Sequence, residues 1–338
     1  MSANPSSSLS SLANRRILVT GAGGFIGSHL AERLVVEGAE VTCLVHYNAL
    51  SSIGNLEHVD ARVRPELRIE HGNIEDSDYV LRLADGHDAI LHLAALIGIP
   101  FSYVSPRSYL RTNTEGTLNI LEAARQSAVG RVVHTSTSEV YGTALRVPID
   151  EEHPLHGQSP YSASKIGADK LAEAYARSFD LPIVTIRPFN TYGPRQSARA
   201  FIPAVIVQAL RNDVISLGNL HPKRDMTYVA DTVDGFIRAT TAVGIEGEVI
   251  NLGSGGAQTV GEFVAKIQAL LGSNKPIEVD PTRVRPEASE VLNLVADNGK
   301  AQRLLGWRPS VSLNEGLRLT INHFSRHLQT YNADRYAV

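Results

Sequence analysis

The sequence predicts an α/β protein: a doubly wound parallel sheet with helices on both faces, and a smaller, discontinuous C-terminal unit. Three observations carry this. Short runs such as Arg16–Thr20, Ala89–Leu93 and Arg131–Thr135 are almost continuously apolar, as strands buried on both faces are. Helical stretches separate these runs in regular alternation. A glycine-rich turn joins the first strand to the first helix.

Arg16–Thr20 (RILVT) runs directly into Gly21-Ala22-Gly23-Gly24-Phe25-Ile26-Gly27. A helix pattern follows from about Ser28 to Glu37 and stops at Gly38, and Glu40–Val45 forms a second strand. In that context glycines let the backbone approach a dinucleotide pyrophosphate, and the helix N-terminus offers free N–H groups and a positive dipole end. Gly21, Gly24, Phe25, Ile26 and Gly27 are therefore candidate cofactor contacts.

The alternation continues with a strand at Leu67–Glu70, a helix at Ser77–Leu83, and a strand at Ala89–Leu93 leading into Ala94-Ala95. A long helix is expected from about Tyr109 to Gln126, then strands at Arg131–Thr135 and Pro182–Arg187. The Gly21 turn, Ala94-Ala95, Ser136–Glu139 and Phe189-Asn190 all fall at C-terminal strand ends, where such sheets gather their ligands.

Between those last strands lies a helix opened by Ser159-Pro160 and carrying Tyr161-Ser162-Ala163-Ser164-Lys165. Four residues apart, Tyr161 and Lys165 share one helical face. An ammonium beside a phenol favours the phenolate, so Tyr161 can serve as a base near neutral pH. A Tyr and Lys at this spacing are more often plain surface residues; the rest of the chain lifts the pair above that reading.

After Tyr192-Gly193-Pro194 the strands become less regular. Helices are expected at Phe201–Arg211, Val260–Leu271, about Asn298–Leu305 and Leu313–Leu328, with strands at Val214–Leu217 and Pro276–Val279. Thr227–Val229 and Glu248–Leu252 read as returns to the main sheet. The expected division is a disordered, Ser-rich leader at 1–14 and a dinucleotide-binding unit at 15–190 plus about 225–258. A substrate unit takes 191–224 and 259–330.

With 43% hydrophobic and 20% charged residues, the 338-residue chain is ordinary globular material. A net charge of −3 argues against nucleic acid or an anionic membrane as partner. Cys43 is the sole cysteine, so no intrachain disulfide forms. The Ser-rich start lacks a signal peptide's basic and apolar regions, and no apolar run reaches membrane-spanning length; a cytoplasmic location is expected. His134, His153 and His156 lack ligand spacing with carboxylates, and no metal is expected.

Taken together, these motifs resemble the extended short-chain dehydrogenase/reductase family, the NAD-dependent epimerase/dehydratase branch with a Rossmann-like core that modifies nucleotide sugars. The resemblance covers about Arg16 to Leu328. It rests on Gly21/Gly24/Gly27, His92-Leu93-Ala94-Ala95, Asn113, Ser136-Thr137-Ser138-Glu139-Val140-Tyr141-Gly142, Tyr161/Lys165, Arg187-Pro188-Phe189-Asn190 and Arg224-Asp225. Gly98–Tyr103 and Phe189–Arg199 look most like nucleotide-sugar 4,6-dehydratases, in particular those acting on nucleotide-linked N-acetylglucosamine in legionaminic acid synthesis.

The resemblance implies catalytic roles for Thr137, Ser138, Glu139, Tyr161 and Lys165. Thr137 would steer O4 of the sugar and Glu139 would take the C5 proton. Many dehydratases of the branch carry Asp where Ser138 stands. UDP-glucuronate decarboxylases share Thr-Ser-Glu, and 4-epimerases need no base at C5, so both remain alternatives. Cofactor contacts are further implied at Asn73, Ile74, Leu93, Ala94, Ala95 and Pro188. The second strand ends Leu44-Val45-His46-Tyr47-Asn48 without the acid that NAD-preferring relatives use, so His46, Asn48 and Ser51 are candidates for a 2′-phosphate. NADP is slightly favoured over NAD. Asn190, Arg224 and Arg285 are implied to bind the substrate diphosphate, with Arg199 and Arg283 weaker candidates. A homodimer through the helices near Tyr109–Gln126 and Ser162–Ser178 is also implied.

Overall fold

The apolar runs form the strands expected of them. The computed structural model describes residues 11–281, 291 and 293–331. Its strands are β1 (Arg16–Thr20), β2 (Glu40–His46), β3 (Leu67–Gly72), β4 (Ala89–His92), β5 (Arg131–Thr135), β6 (Ile183–Pro188) and β7 (Asn190–Tyr192). The later strands are β8 (Ile215–Leu217), β9 (Lys223–Tyr228), β10 (Val249–Leu252), β11 (Ala257–Thr259), β12 (Ile277–Val279) and β13 (Asn293–Leu294). The helices of the first half are α1 (Phe25–Val36), α2 (Ser77–Ala84), α3 (Ile99–Val104), α4 (Pro106–Tyr109), α5 (Gly116–Gln126) and α6 (Pro160–Phe179). Those of the second half are α7 (Phe201–Arg211), α8 (Val229–Thr241), α9 (Val260–Leu271), α10 (Gly299–Leu305) and α11 (Leu313–Arg326).

A seven-stranded sheet runs β10-β6-β5-β4-β1-β2-β3, every neighbouring pair parallel. The order reverses between β1 and β4, which opens a crevice at their C-terminal ends. Helices α1 and α8 pack together on one face; α2, α5 and α6 cover the other. This arrangement demands strands apolar on both faces, and β4 and β6 are buried along their whole length. The two faces have separate cores, one around Ile17, Val19, Leu30 and Phe236, the other around Leu18, Ile90, Ile120 and Ala172.

A second sheet of β11-β9-β13, with β7 also paired to β9, stands beside this layer. Helices α7, α9 and α11 pack with it. Trp307 is fully buried, and its Nε1 donates to the Asp231 carbonyl 2.8 Å away, fastening the turn after α10 to α8.

Four expectations change. Residues 11–14, read as leader, are tied down at two points although Ser11, Ala13 and Asn14 are exposed: Leu12 is buried, and Asn14 N–H donates to the Gly38 carbonyl at 2.8 Å. Residues 227–229 do not return to the main sheet, because β9 pairs with β7, β11 and β13; only β10 returns, beside β6. The stretch expected as one helix from Tyr109 instead widens into π-type turns at Leu110–Glu115 between α4 and α5. Helix α1 begins at Phe25, three residues early, because Gly24 is its N-cap.

Candidate active site

The C-terminal ends of β1, β4, β5 and β6 gather the residues singled out above. Gly21 leaves β1 at φ +70°, and a Cβ there would lie 2.7 Å from Ala94 N. A Cβ on Gly27 would lie 2.3 Å from the Gly21 carbonyl oxygen, so the first turn of α1 rests directly on the loop. Gly24, with no side chain to compete, leaves the N–H groups of that turn to a ligand. Thr20 Oγ1 fixes the opposite wall, accepting from Leu93 N–H at 3.2 Å and Ala94 N–H at 3.1 Å. This backbone cradle fits a dinucleotide pyrophosphate, which residues 21–27 and 93–95 would hold. Gly27→Ala is expected to cost about 1–3 kcal/mol by overpacking and to weaken dinucleotide binding; a denaturant midpoint and a binding titration check both.

The adenosine end differs from expectation. Asn48 is committed locally: its Oδ1 accepts from Leu50 and Ser52 N–H at 3.1 Å each, and its Nδ2 donates to the Ser52 carbonyl at 2.9 Å. Its amide closes a loop, which removes it as a phosphate ligand, whereas His46 is exposed at the end of β2. Asn73 Oδ1 accepts from Glu75 N–H at 3.1 Å. Ile74 is buried under α5, where Asn119 Nδ2 donates to its carbonyl at 2.9 Å. Pro188 closes β6, buried and in register with Leu252.

Helix α6 starts at a capping box of Ser159 and Ser162, with Pro160 at its first position. Tyr161 and Lys165 both point inward and are buried. The end of β5 meets them. Thr137 Oγ1 accepts from Glu139 N–H at 3.2 Å, and the Thr137 hydroxyl lies near enough to the Tyr161 phenol to favour its ionised form. Lys165 Nζ donates to the Thr135 carbonyl at 2.6 Å. Tyr109 packs edge-on against the Tyr161 ring, centroids 6.2 Å apart. Glu139 is half-buried, and its charge reaches the Tyr161 phenol; Ser138 beside it is buried.

The electrostatics correct one inference. Burial holds the Tyr161 phenol above its ordinary value, the Thr137 hydroxyl opposes this, and Glu139 adds to it. Lys165 is itself pushed down to about 8, by burial first, with Asp169 opposing. An ammonium bonded to the Thr135 carbonyl does not by itself make the phenol a base. Thr137→Val removes a stabiliser of the phenolate, so ionisation of Tyr161 moves further up in pH. Ultraviolet difference titration against Tyr161→Phe reads this, and turnover should fall about tenfold to a hundredfold.

Of the residues implied to bind the diphosphate, Asn190 lies at the start of β7 with a buried Nδ2 that has no partner among the described residues. Arg224 lies in β9 opposite Gln258, nearly buried, with Nη1 donating to the Val291 carbonyl at 2.7 Å, so part of its guanidinium is structural. Arg199 is exposed, with Nε bonded to Ser197 Oγ at 3.4 Å, and its charge reaches Tyr109. Arg283 and Arg285 lie outside the described residues. No group of His, Cys, Asp and Glu among the described residues is arranged to hold a metal ion. His134 instead meets Asp169, and His153 Nε2 accepts from Leu145 N–H.

Sequence reasoning missed two elements of the site. Tyr109 was read only as the start of a helix. Asp169 lies on the Tyr161–Lys165 face one turn further along α6, a spacing that could have revealed it.

A dinucleotide cradle beside a Thr-Tyr-Lys cluster, on a parallel sheet of this order, defines an extended short-chain dehydrogenase/reductase. The family model described as GDP-mannose 4,6 dehydratase matches residues 18–320, and the chain belongs to that family of nucleotide-sugar-modifying proteins. Among its relatives is a UDP-glucose 4-epimerase from Mycolicibacterium smegmatis, 35% identical over 93% of this chain and 100% of that protein. Another is UDP-glucuronic acid decarboxylase 1 from Danio rerio, 33% identical over 97% of this chain and 77% of that protein. The crystal structure of the dTDP-glucose 4,6-dehydratase DesIV from Streptomyces venezuelae, with NAD bound, superposes with a TM-score of 0.83. It is 33% identical and covers 94% of this chain and 99% of that one. No described helix is long and apolar enough to cross a membrane.

Proposed function

We propose that the chain is a nucleotide-sugar 4,6-dehydratase, converting a nucleotide-linked hexose to its 4-keto-6-deoxy form. The observation that carries this reading is Glu139: a carboxylate on the turn that begins at Thr137, close enough for its charge to act on the Tyr161 phenol. Tyr161 takes the proton of the sugar 4-hydroxyl while the Thr137 hydroxyl steers O4. A nicotinamide, when bound in the cradle of residues 21–27, would supply the acceptor for hydrogen from C4, the donor of hydrogen to C6, and a positive charge favouring the phenolate. A C4 ketone acidifies C5–H, and Glu139 takes that proton. Glu139 passes that proton to the hydroxyl that leaves C6 as water, Ser138 standing in place of an acid, and when hydrogen returns to C6, C5 takes up a proton in exchange for the one that Tyr161 drew from O4.

The proposed substrate is a UDP- or GDP-linked N-acetylglucosamine. Asn190, Arg199 and Arg224 face its diphosphate, and the unpartnered Asn190 amide supports that placement. NADP is slightly preferred over NAD, because β2 ends without a carboxylate to repel a 2′-phosphate. We further propose a cytoplasmic homodimer, with the large sheet holding the dinucleotide and the β9 sheet holding the sugar nucleotide.

Mass spectrometry of purified protein with UDP-, GDP-, CDP- and dTDP-sugars, each with NAD or NADP, tests this. Loss of one water supports the proposal and names the substrate. Loss of carbon dioxide from UDP-glucuronate makes the protein a decarboxylase, a reading that the Thr137-Ser138-Glu139 sequence also fits. An unchanged mass at a new retention time makes it an epimerase.

A further inference from the structure

Beneath the Tyr161–Lys165 pair lies a buried polar cluster that the mechanism does not use. Asp169 is its centre. Its Oδ1 accepts from His134 Nε2 at 3.1 Å; its Oδ2 accepts from Ser136 Oγ at 2.8 Å and from Arg187 Nη2 at 2.9 Å. The side chains of Asp169, His134 and Arg187 are almost wholly enclosed. Arg187 Nη1 donates onward to the Tyr141 hydroxyl at 2.9 Å, which donates to Asn251 Oδ1 at 2.8 Å. One carboxylate thus joins α6 to β5 and β6, and it grips Ser136, just past the end of β5, between the Thr135 carbonyl that holds Lys165 and Thr137, whose hydroxyl acts on Tyr161.

The charges around Lys165 can be counted element by element. Burial keeps His92 of β4 and His134 of β5 neutral at neutral pH, and the unpartnered Nδ1 of His134 agrees with a neutral ring whose Nε2–H faces Asp169. From β6, Arg187 adds a positive charge. On the turn after β5, Tyr141 is a neutral phenol and Glu139 faces Tyr161. Asp169 of α6 is an ionised carboxylate held at about 2. Among the described residues, Asp169 is the one carboxylate whose charge reaches Lys165, while Glu151 lies further out, accepting from Asn251 N–H at 2.8 Å and acting on Tyr141. A buried ammonium without an opposing charge sheds its proton.

We propose that Asp169 is a positioning residue. From one helical turn beyond Lys165 it supplies the counter-charge that keeps the buried ammonium protonated, and it locks the β5 turn at the spacing from α6 that Thr137 needs to reach Tyr161. The proposal rests on the reading of Tyr161 and Lys165 as the reactive pair, but it is tested without turnover.

The experiment follows the 15Nζ resonance of Lys165, assigned by its loss in Lys165→Arg, through a pH titration of the full-length protein. In Asp169→Asn the Lys165 proton should leave about one to three pH units earlier than in the unsubstituted protein. Asp169→Glu, which returns the charge on a longer arm, should restore the original titration. Ser136→Ala, which removes a hydrogen bond and no charge, should leave it unchanged. Unchanged titration in folded Asp169→Asn overturns the proposal. If the Asn variant does not fold, the Glu variant decides: an early loss of the Lys165 proton despite its carboxylate overturns the proposal, and an unshifted titration upholds it. Once a substrate is in hand, the alkaline limb of the kcat profile should move down with the Lys165 titration. A product other than the 4-keto-6-deoxy sugar would overturn the proposed reaction while leaving the Lys165 titration to judge Asp169 by itself.

Discussion

Glu139→Gln is expected to lower product formation about 10²–10⁴-fold, the usual worth of a positioned acid–base group, while oxidation at C4 survives. The two effects separate because Glu139 and Tyr161 act at different carbons. Tyr161, Thr137 and Lys165 remain intact in the variant, so the 4-hydroxyl still loses its proton and near-ultraviolet absorbance of the reduced cofactor still rises after substrate is mixed in. With no carboxylate to remove the C5 proton, the sequence stops there and the absorbance does not fall back. The amide keeps the size of the side chain and the backbone N–H bond to Thr137 Oγ1, so folding should be unaffected. A variant that turns over normally would remove Glu139 from the mechanism and favour epimerisation.

Tyr161→Phe should be as severe, about 10²–10⁴-fold in kcat/KM, but it should fail earlier. No reduced cofactor should accumulate, since the first proton has nowhere to go. Sugar nucleotide should still bind, because the substitution removes one hydroxyl from a ring held by Tyr109. Stopped-flow absorbance with Tyr161→Phe and Glu139→Gln side by side therefore orders the two steps. If Tyr161→Phe still produced reduced cofactor at the original rate, another base would have to be found.

Much of this site was legible in the sequence because its elements are local. Arg16–Thr20 and the glycines after it are contiguous, and the Tyr161 helix announces its start with Ser159-Pro160 and its active face by spacing. Strand β5 and helices α7 and α9 fall at the residues their patterns predict. What escaped depends on partners distant in sequence. Residues 227–229 are apolar enough for the main sheet, but β9 pairs with β7, β11 and β13, and no local pattern names a partner. Asn48 looks like a free polar side chain until the turn it closes is seen. The effect of Lys165 on Tyr161 was inferred from spacing alone, whereas depth in the protein decides it: burial raises the phenol and lowers the amine together.

Asp225 also joins pieces far apart along the chain. Fully buried in β9, it accepts from Ser254 N–H at 2.7 Å, Gly255 N–H at 2.9 Å and Ala296 N–H at 3.0 Å. Ile149 adds a stitch, its N–H donating to the Val295 carbonyl at 2.7 Å and its carbonyl accepting from Asp297 N–H at 2.8 Å. The seam between the two sheets is thus sewn from four separate stretches of polypeptide. A chimaera that borrows the second sheet from a relative cannot be made at one crossover point. Residues around 149, 225, 254 and 296 have to travel as a set, so exchange of substrate preference between relatives by recombination requires several simultaneous joins, whereas point substitutions within one sheet leave the seam closed.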